Sequence, residues 1–145
     1  ALEKAQTIME KITGVKSVQT KAKVRLPTWE IRPGLPIGVK ATLRKQKAVE
    51  FLKRALTARD NELSGRSFDD QGNFGFGIKE YIELPGIIYD PKLGVRGFDV
   101  LVTLERPGYR VKKRKLFKKS IGKKHVISKL DAIAFVRDSF EVKIE

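Results

Sequence analysis

Few residues of this chain have the types and spacing that catalysis requires. The best candidates for a Mg²⁺ site that cleaves phosphodiesters are four carboxylates, those of Asp69, Asp70, Glu83 and Asp90. Three of them fit turns instead, because the first two closely precede a glycine and the last precedes a proline. The single histidine, His125, lies among lysines, there is no cysteine, and no phosphate-binding glycine loop leads into a helix. We therefore predict no enzymatic activity, no cofactor and no metal.

Basic side chains indicate a different chemistry. The 145 residues include 31 Lys and Arg against 17 Asp and Glu, a net charge of +14. Residues 11–49 contain ten bases and one acid, residues 106–129 contain eleven bases and no acid, and residues 60–105 carry nine acids and four bases. Solubility needs only about 2–8 net charges with both signs interspersed. Segregated charge of this size indicates a nucleic-acid partner rather than a membrane, because no basic amphipathic helix carries the basic runs.

Two predicted strands must position the first basic region. Residues 18–26 and 37–44 alternate apolar and polar side chains, which is the period of a strand with one exposed face. A loop joins them, so we expect a hairpin whose two basic faces lie side by side. This expected RNA-binding face comprises Lys21, Lys23 and Arg25 on one strand and Lys40, Thr42 and Arg44 on the other. The alternative is an ordinary solvated face.

The loop between these strands combines an aromatic ring with a guanidinium. Trp29 is the only tryptophan, and Arg32 follows it in a segment stiffened by Pro27, Pro33 and Pro36. Trp29 would stack on a base or ribose while Arg32 reaches a phosphate. A lone tryptophan packed against the body of the protein fits the sequence equally well, so both alternatives stay open.

The second basic region, over about residues 106–127, shows no clear period up to residue 124 and is typical of a basic loop or a partly disordered arm. On a nucleic acid its cations would clamp the phosphate backbone without reading sequence. Without a nucleic acid the segment would be a disordered tail. The cations of this expected phosphate clamp are Lys112, Lys113, Arg114, Lys115, Lys118 and Lys119.

The remaining periodicities define the fold class. Residues 1–12 and 45–58 carry apolar side chains at three- and four-residue spacings, which predicts helices, and residues 74–78 and 98–105 alternate as strands. Ser128 with Asp131 three residues later predicts the start of a third helix. We predict a single α+β domain over residues 1–145, with an antiparallel sheet, helices packed on one face and an open basic face. The predicted domain also includes a long hairpin loop and the basic arm.

Several segments also follow the order and spacing of a known family. The most specific is SFDDQGNFGFGIKE at residues 67–80, continued by residues 87–90 and 94–99. Residues 20–23 and 31–44 are in register upstream. The chain thus resembles the ribosomal protein L-five family of the large subunit over essentially its whole length. Its tail, from residue 106 onward, resembles the archaeal and eukaryotic branch, and the shortness of the chain favours the archaeal one.

The resemblance implies a structural, non-enzymatic protein of the cytoplasmic ribosome. Such a protein binds 5S rRNA, anchors it in the central protuberance, and contacts large-subunit rRNA and neighbouring ribosomal proteins. It also implies that a loop over residues 23–34 approaches the P-site tRNA, and that the family's first strand precedes this chain. Carried over by position, the 5S rRNA-binding residues are Lys16, Thr20, Lys21, Lys40, Thr42 and Arg44. The tRNA-facing residues are Lys23, Arg25, Thr28, Trp29 and Arg32.

Two other functions stay open from the residues themselves. A free-standing RNA-binding protein or RNA chaperone would use the same basic face and bind unrelated structured RNAs with similar affinity. A metal-dependent nuclease would need Asp69 and Asp70, and its cleavage would disappear when both become alanine. Binding that selects 5S rRNA distinguishes the ribosomal function from both.

Overall fold

The computed structural model describes residues 2–144, which group into two compact units. One unit comprises residues 2–55 and 79–98, and the other comprises residues 56–78 and 99–144. In chain order the helices and strands are α1 (Leu2–Thr13), β1 (Val18–Lys21), β2 (Pro36–Lys40), α2 (Lys45–Ala58), β3 (Glu62–Leu63), β4 (Asn73–Ile78), β5 (Phe98–Thr103), α3 (Arg110–Lys113), α4 (Lys129–Phe140) and β6 (Lys143–Ile144). This mixture confirms the α+β class. The prediction of a single domain stays a prediction.

The described strands form three two-stranded sheets, whereas one sheet was expected. β1 pairs with β2, β3 with β6, and β4 with β5. The β1–β2 pair is antiparallel, but β3 and β6 run parallel, with Glu62 opposite Lys143. Alternation along a strand identifies its two faces without specifying its partner, so the division into pairs was not predictable from the period.

In the first unit, α1 packs on the β1–β2 hairpin. Ile8 and Ile12, one helical turn apart, are buried, as their spacing predicts. Gly14 follows the last residue of α1 and terminates the helix. Its φ of 70° is left-handed, and its amide donates to the Glu10 carbonyl at 2.9 Å. From α2, the apolar stripe contributes the buried Leu52 to this unit. The strands of the hairpin are therefore packed against α1.

Arg54 of α2 joins three segments of the same unit. Its guanidinium donates to the Ile12 carbonyl at 3.2 Å and to the Pro85 carbonyl at 3.1 Å. The first of these carbonyls belongs to the last turn of α1, where carbonyls have no partner within the helix. Tyr81, four residues before Pro85, is fully buried. Its amide donates to the Arg96 carbonyl at 2.8 Å, and this hydrogen bond joins the two ends of the segment of residues 79–98.

In the second unit, the apolar residues of β4 are buried and its glycines adjoin β5. Phe74 stacks on Phe68 with 4.8 Å between ring centroids. A Cβ added to Gly75 would lie 2.6 Å from the Leu101 side chain and 3.2 Å from the Val100 carbonyl. The glycine spacing in this motif thus permits close approach of the neighbouring strand.

The start of α4 follows the capping pattern in the sequence. The Ser128 hydroxyl accepts a hydrogen bond from the Asp131 amide at 3.3 Å, and Ala132 and Val136 bury the apolar side of the helix. The helix ends at Glu141, which has a left-handed φ of 53°. Among residues 2–144, no helix combines the length and apolar character needed to cross a membrane.

Candidate nucleic-acid interface

The β1–β2 hairpin continues beyond its strands to the predicted tip. The Ala22 amide donates to the Leu35 carbonyl at 2.8 Å. Farther out, Leu26 and Ile31 exchange two hydrogen bonds of 2.8 and 3.1 Å around a 3₁₀ turn at Pro27–Trp29. Backbone hydrogen bonds therefore hold the loop of residues 23–34 as an arm rather than a free coil.

Trp29 is presented to solvent at the tip of this arm. Its exposed fraction is 71%, which excludes the alternative that it packs against the body of the protein. The four other residues assigned to the tRNA-facing loop are also exposed: Lys23, Arg25, Thr28 and Arg32. The hairpin thus displays one aromatic ring and three cations on the same short segment.

The base of the hairpin does not form the single basic face that the alternation predicted. Val18 lies opposite Lys40, and Thr20 lies opposite Gly38, so the side chains of Thr20 and Lys40 share one face. Gln19, in the polar phase of β1, lies opposite Val39, in the apolar phase of β2. In the regular part of the hairpin, the polar phase of one strand therefore shares a face with the apolar phase of the other, and the predicted pairing of the two polar phases is wrong there.

The regular strands are also shorter than the alternation predicted. β1 ends at Lys21 and β2 at Lys40, with a bulge where Lys21 lies opposite Pro36. Proline has no amide hydrogen to donate to the ladder, which accounts for the irregularity there. The remaining predicted residues of the face lie outside the strands and are exposed: Lys23, Arg25, Thr42 and Arg44. The exposed cations therefore extend along the hairpin and its flanks beyond the two regular strands.

In the described part of the chain, no cation of the hairpin forms an ion pair with a carboxylate. Within residues 2–144, Arg106 pairs with Asp131 and Lys113 pairs with Glu105 at less than 4.0 Å, and neither pair involves the hairpin. Lys16, before β1, is also exposed. Charge that is not paired attracts an external polyanion at full strength.

The six cations of the expected phosphate clamp divide into two groups. Three have partners within the protein: the Lys112 ammonium lies 5.0 Å from the ring centroid of Tyr109, Lys113 pairs with Glu105, and Arg114 donates to a backbone carbonyl. The other three are exposed and have no carboxylate within ion-pair distance in the described part of the chain; they are Lys115, Lys118 and Lys119. Only these three are free to bind phosphate without first leaving an internal partner.

The base of the second basic region is anchored by Tyr109. This side chain is buried, and its hydroxyl donates to the His125 carbonyl at 3.2 Å and accepts from the Ile127 amide at 3.0 Å. The His125 ring lies 2.7 Å from the Pro107 carbonyl and meets Tyr109 edge-on. His125 is therefore a structural residue. The base of the segment is folded around Tyr109 and contains α3, and the order of the whole segment without nucleic acid stays a prediction.

Two exposed residues in this loop were missed by sequence reasoning. Leu116 and Phe117 are 72% and 83% exposed between the lysines. The sequence does contain a signal for them, because a leucine and a phenylalanine stand between the lysines of residues 112–119. The prediction of a phosphate clamp used only the charges of this run. The loop therefore presents apolar surface as well as cations.

The four carboxylates do not converge on a metal site. The pKa of the exposed Asp69 is held below its ordinary value, chiefly by the Asn73 amide donating at 2.8 Å, while a slight desolvation acts in the opposite direction. The Asn73 side chain and the Gln71 amide also donate to this carboxylate. Asp90 accepts from the Lys92 amide at 2.9 Å in a similar turn. In residues 2–144, no three His, Asp or Glu side chains are grouped so that they could hold a metal ion.

Comparison with known proteins identifies the family of this chain. Residues 36–135 match the model for the C-terminus of the ribosomal L5 family. The chain belongs to the ribosomal L5 family. It is 49% identical over 144 residues to large ribosomal subunit protein uL5 of Nanoarchaeum equitans, covering 99% of this chain and 85% of the relative. The uL5 protein of Sulfolobus acidocaldarius is also 49% identical, over 143 residues, with 99% and 80% covered. The uL5 protein of Methanococcus aeolicus is 46% identical over 144 residues, with 97% and 80% covered.

Membership of the L5 family confirms the resemblance carried by the sequence motifs. The relatives are archaeal proteins of the large ribosomal subunit, in agreement with the branch that the tail and the shortness of the chain together favoured. This L5 family member is accordingly a structural, non-enzymatic constituent of the large subunit, associated with the ribosome in the cytoplasm. The nuclease alternative is thereby excluded.

Proposed function

We propose that this chain binds 5S rRNA and anchors it in the central protuberance of the large subunit, while the loop of residues 23–34 approaches the P-site tRNA. The observation that carries the proposal is the set of exposed hairpin cations without carboxylate partners in the described residues. In a ribosomal protein such cations have rRNA phosphates as their natural counter-charges.

The two ends of the hairpin support two different RNA contacts. The base is packed on α1 and carries Thr20, Lys21 and Lys40, so it is the rigid part that suits a permanent rRNA contact. The tip carries the exposed Trp29 at the end of an arm held by backbone hydrogen bonds, which suits a ligand that enters and leaves. Lys16, Thr42 and Arg44 flank the base and complete the proposed 5S rRNA surface.

The lysines of the second basic region support a contact with large-subunit rRNA. Lys115, Lys118 and Lys119 lie within five residues of each other and are exposed. Their contribution is positioning, because phosphate contacts carry no sequence information. Selectivity for 5S rRNA therefore has to come from the shape of the hairpin base and the segments beside it. The alternative, a free-standing RNA-binding protein or RNA chaperone, uses the same cations without such selectivity.

The test is the affinity of the full chain for 5S rRNA and for an unrelated structured RNA of equal length, across a salt series. We expect a preference for 5S rRNA that persists at physiological salt, because shape recognition adds to the electrostatic term. Equal affinities that decline together as salt rises would contradict the proposal and favour the free-standing RNA-binding protein.

A further inference from the structure

The segment from Arg114 to Lys119 presents an apolar tip in the middle of the second basic region. Leu116 and Phe117 are 72% and 83% exposed, whereas most other phenylalanines of the chain are buried or half-buried. Exposing a phenyl ring to water is unfavourable, so its position in the loop needs an explanation.

The backbone holds Phe117 in this exposed position. Its φ of 55° lies in the left-handed region, which bulky residues rarely adopt. Both Nε and Nη2 of Arg114 donate to the Phe117 carbonyl, at 2.9 and 2.7 Å. The Lys119 amide donates to the Val111 carbonyl at 3.1 Å and closes the loop onto α3. The ring is thus projected by a fixed turn.

The surroundings of the ring define the ligand that it fits. Lys115, Lys118 and Lys119 lie within two residues of Phe117, are exposed, and have no carboxylate partner among the described residues. An exposed ring bordered by unpaired cations matches a ligand with flat π faces on an anionic backbone. We propose that Phe117 stacks on an unpaired base of rRNA, with the three lysines on the adjacent phosphates and Arg114 as the positioning residue. This inference rests on the proposed function in rRNA binding.

The test compares single-stranded with double-stranded RNA, because only an unpaired base offers its face to a ring. The probes are an oligoadenylate of about 12 nucleotides and an RNA duplex of about the same length. In the full chain, we expect Phe117→Ala to lower affinity for the single strand by about 5- to 150-fold. Affinity for the duplex, and the salt slope on both probes, should not change because no charge is removed.

Conservative variants and a matched control distinguish stacking from damage to the loop. Phe117→Trp should restore single-strand binding, and in a Trp29→Phe background its fluorescence should be quenched by the bound base. Arg114→Lys keeps the charge but loses the two-pronged bond to the Phe117 carbonyl, so it should weaken single-strand binding without altering the salt slope. Phe135→Ala, which removes a half-exposed ring on α4 outside the basic region, should have no effect.

Several outcomes would overturn the inference. Equal losses on strand and duplex, no loss with Phe117→Ala, or no rescue by tryptophan would each exclude base stacking. If Phe117→Ala instead abolished binding to vesicles of anionic phospholipid and left RNA binding intact, the tip would be a membrane contact. None of these results depends on whether the chain prefers 5S rRNA to an unrelated structured RNA. If that preference is not found, only the proposed function is contradicted.

Discussion

At the scale of single residues, Trp29 has the clearest separable role. It is exposed at the tip of the hairpin, far along the chain from the packed base. We expect Trp29→Ala to leave the affinity for 5S rRNA within about 2-fold and to weaken tRNA binding to reconstituted ribosomes, because stacking on an aromatic ring contributes about 1–3 kcal/mol per base. Filter binding with 5S rRNA and with P-site tRNA measures both. Loss of 5S rRNA binding would mean that the tip and base have been assigned the wrong ligands.

Asp69 is a residue whose protonation affects the fold rather than the chemistry. Hydrogen bonds from Asn73 and Gln71 hold the pKa of Asp69 in the folded chain below its ordinary value. Ionised Asp69 therefore stabilises the folded chain fully at any pH above the pKa of the unfolded chain. This contribution is lost as the pH falls through the pKa of the folded state. We expect Asp69→Asn to lower the free energy of unfolding at pH 7 and to have a smaller effect at pH 3, as measured by urea titration.

The control for this prediction is Asp70→Asn, since Asp70 is exposed in the same turn and the hydrogen bonds from Gln71 and Asn73 go to the Asp69 carboxylate instead. It should leave stability unchanged at both pH values. A pH-independent effect of Asp69→Asn would show that the turn depends on the shape of the side chain and not on its charge.

At the scale of elements, the turn before β4 depends on a glycine. Gly72 has a φ of 81°, and a Cβ there would lie 2.9 Å from the Cβ of the buried Ile127. We expect Gly72→Ala to destabilise the chain by about 1–3 kcal/mol, because the strained φ and the steric clash act together. Gly122→Ala is the matched control, since nothing lies within 4 Å of its added Cβ. Equal urea midpoints for the two variants would refute this account.

At the scale of the whole molecule, the distribution of charge is expected to govern the strength of RNA binding. Lys21→Ala with Arg44→Ala removes two cations from the hairpin region, whereas Arg66→Ala with Lys92→Ala removes two exposed cations from the mainly acidic segment. We expect the first pair to weaken 5S rRNA binding and to reduce the salt slope by about 0.7–0.9 for each phosphate that the protein no longer neutralises. The second pair should change little. Equal effects of the two pairs would indicate a response to net charge alone.

The sequence alone was sufficient for the properties that depend on local spacing and composition. Helical spacing identified α1 and α2, the Ser128 cap identified the start of α4, and segregated charge indicated a polyanionic partner before any family was considered. Each of these follows from residues that are near each other in the chain, or from sums over it. The motif at residues 67–80 was specific enough to indicate the family.

Only the tertiary structure decided which side chains share a face and which remain free. The pairing of Gln19 with Val39, which puts a polar phase beside an apolar one, comes from the register of β1 on β2, and alternation within one strand contains no information about its partner. The exposure of Trp29 and Phe117, and the engagement of Lys112, Lys113 and Arg114 with partners nearby in the chain, likewise depend on the folded backbone. Composition counts every cation alike, whereas the fold determines which of them have a partner inside the protein and which remain available to RNA.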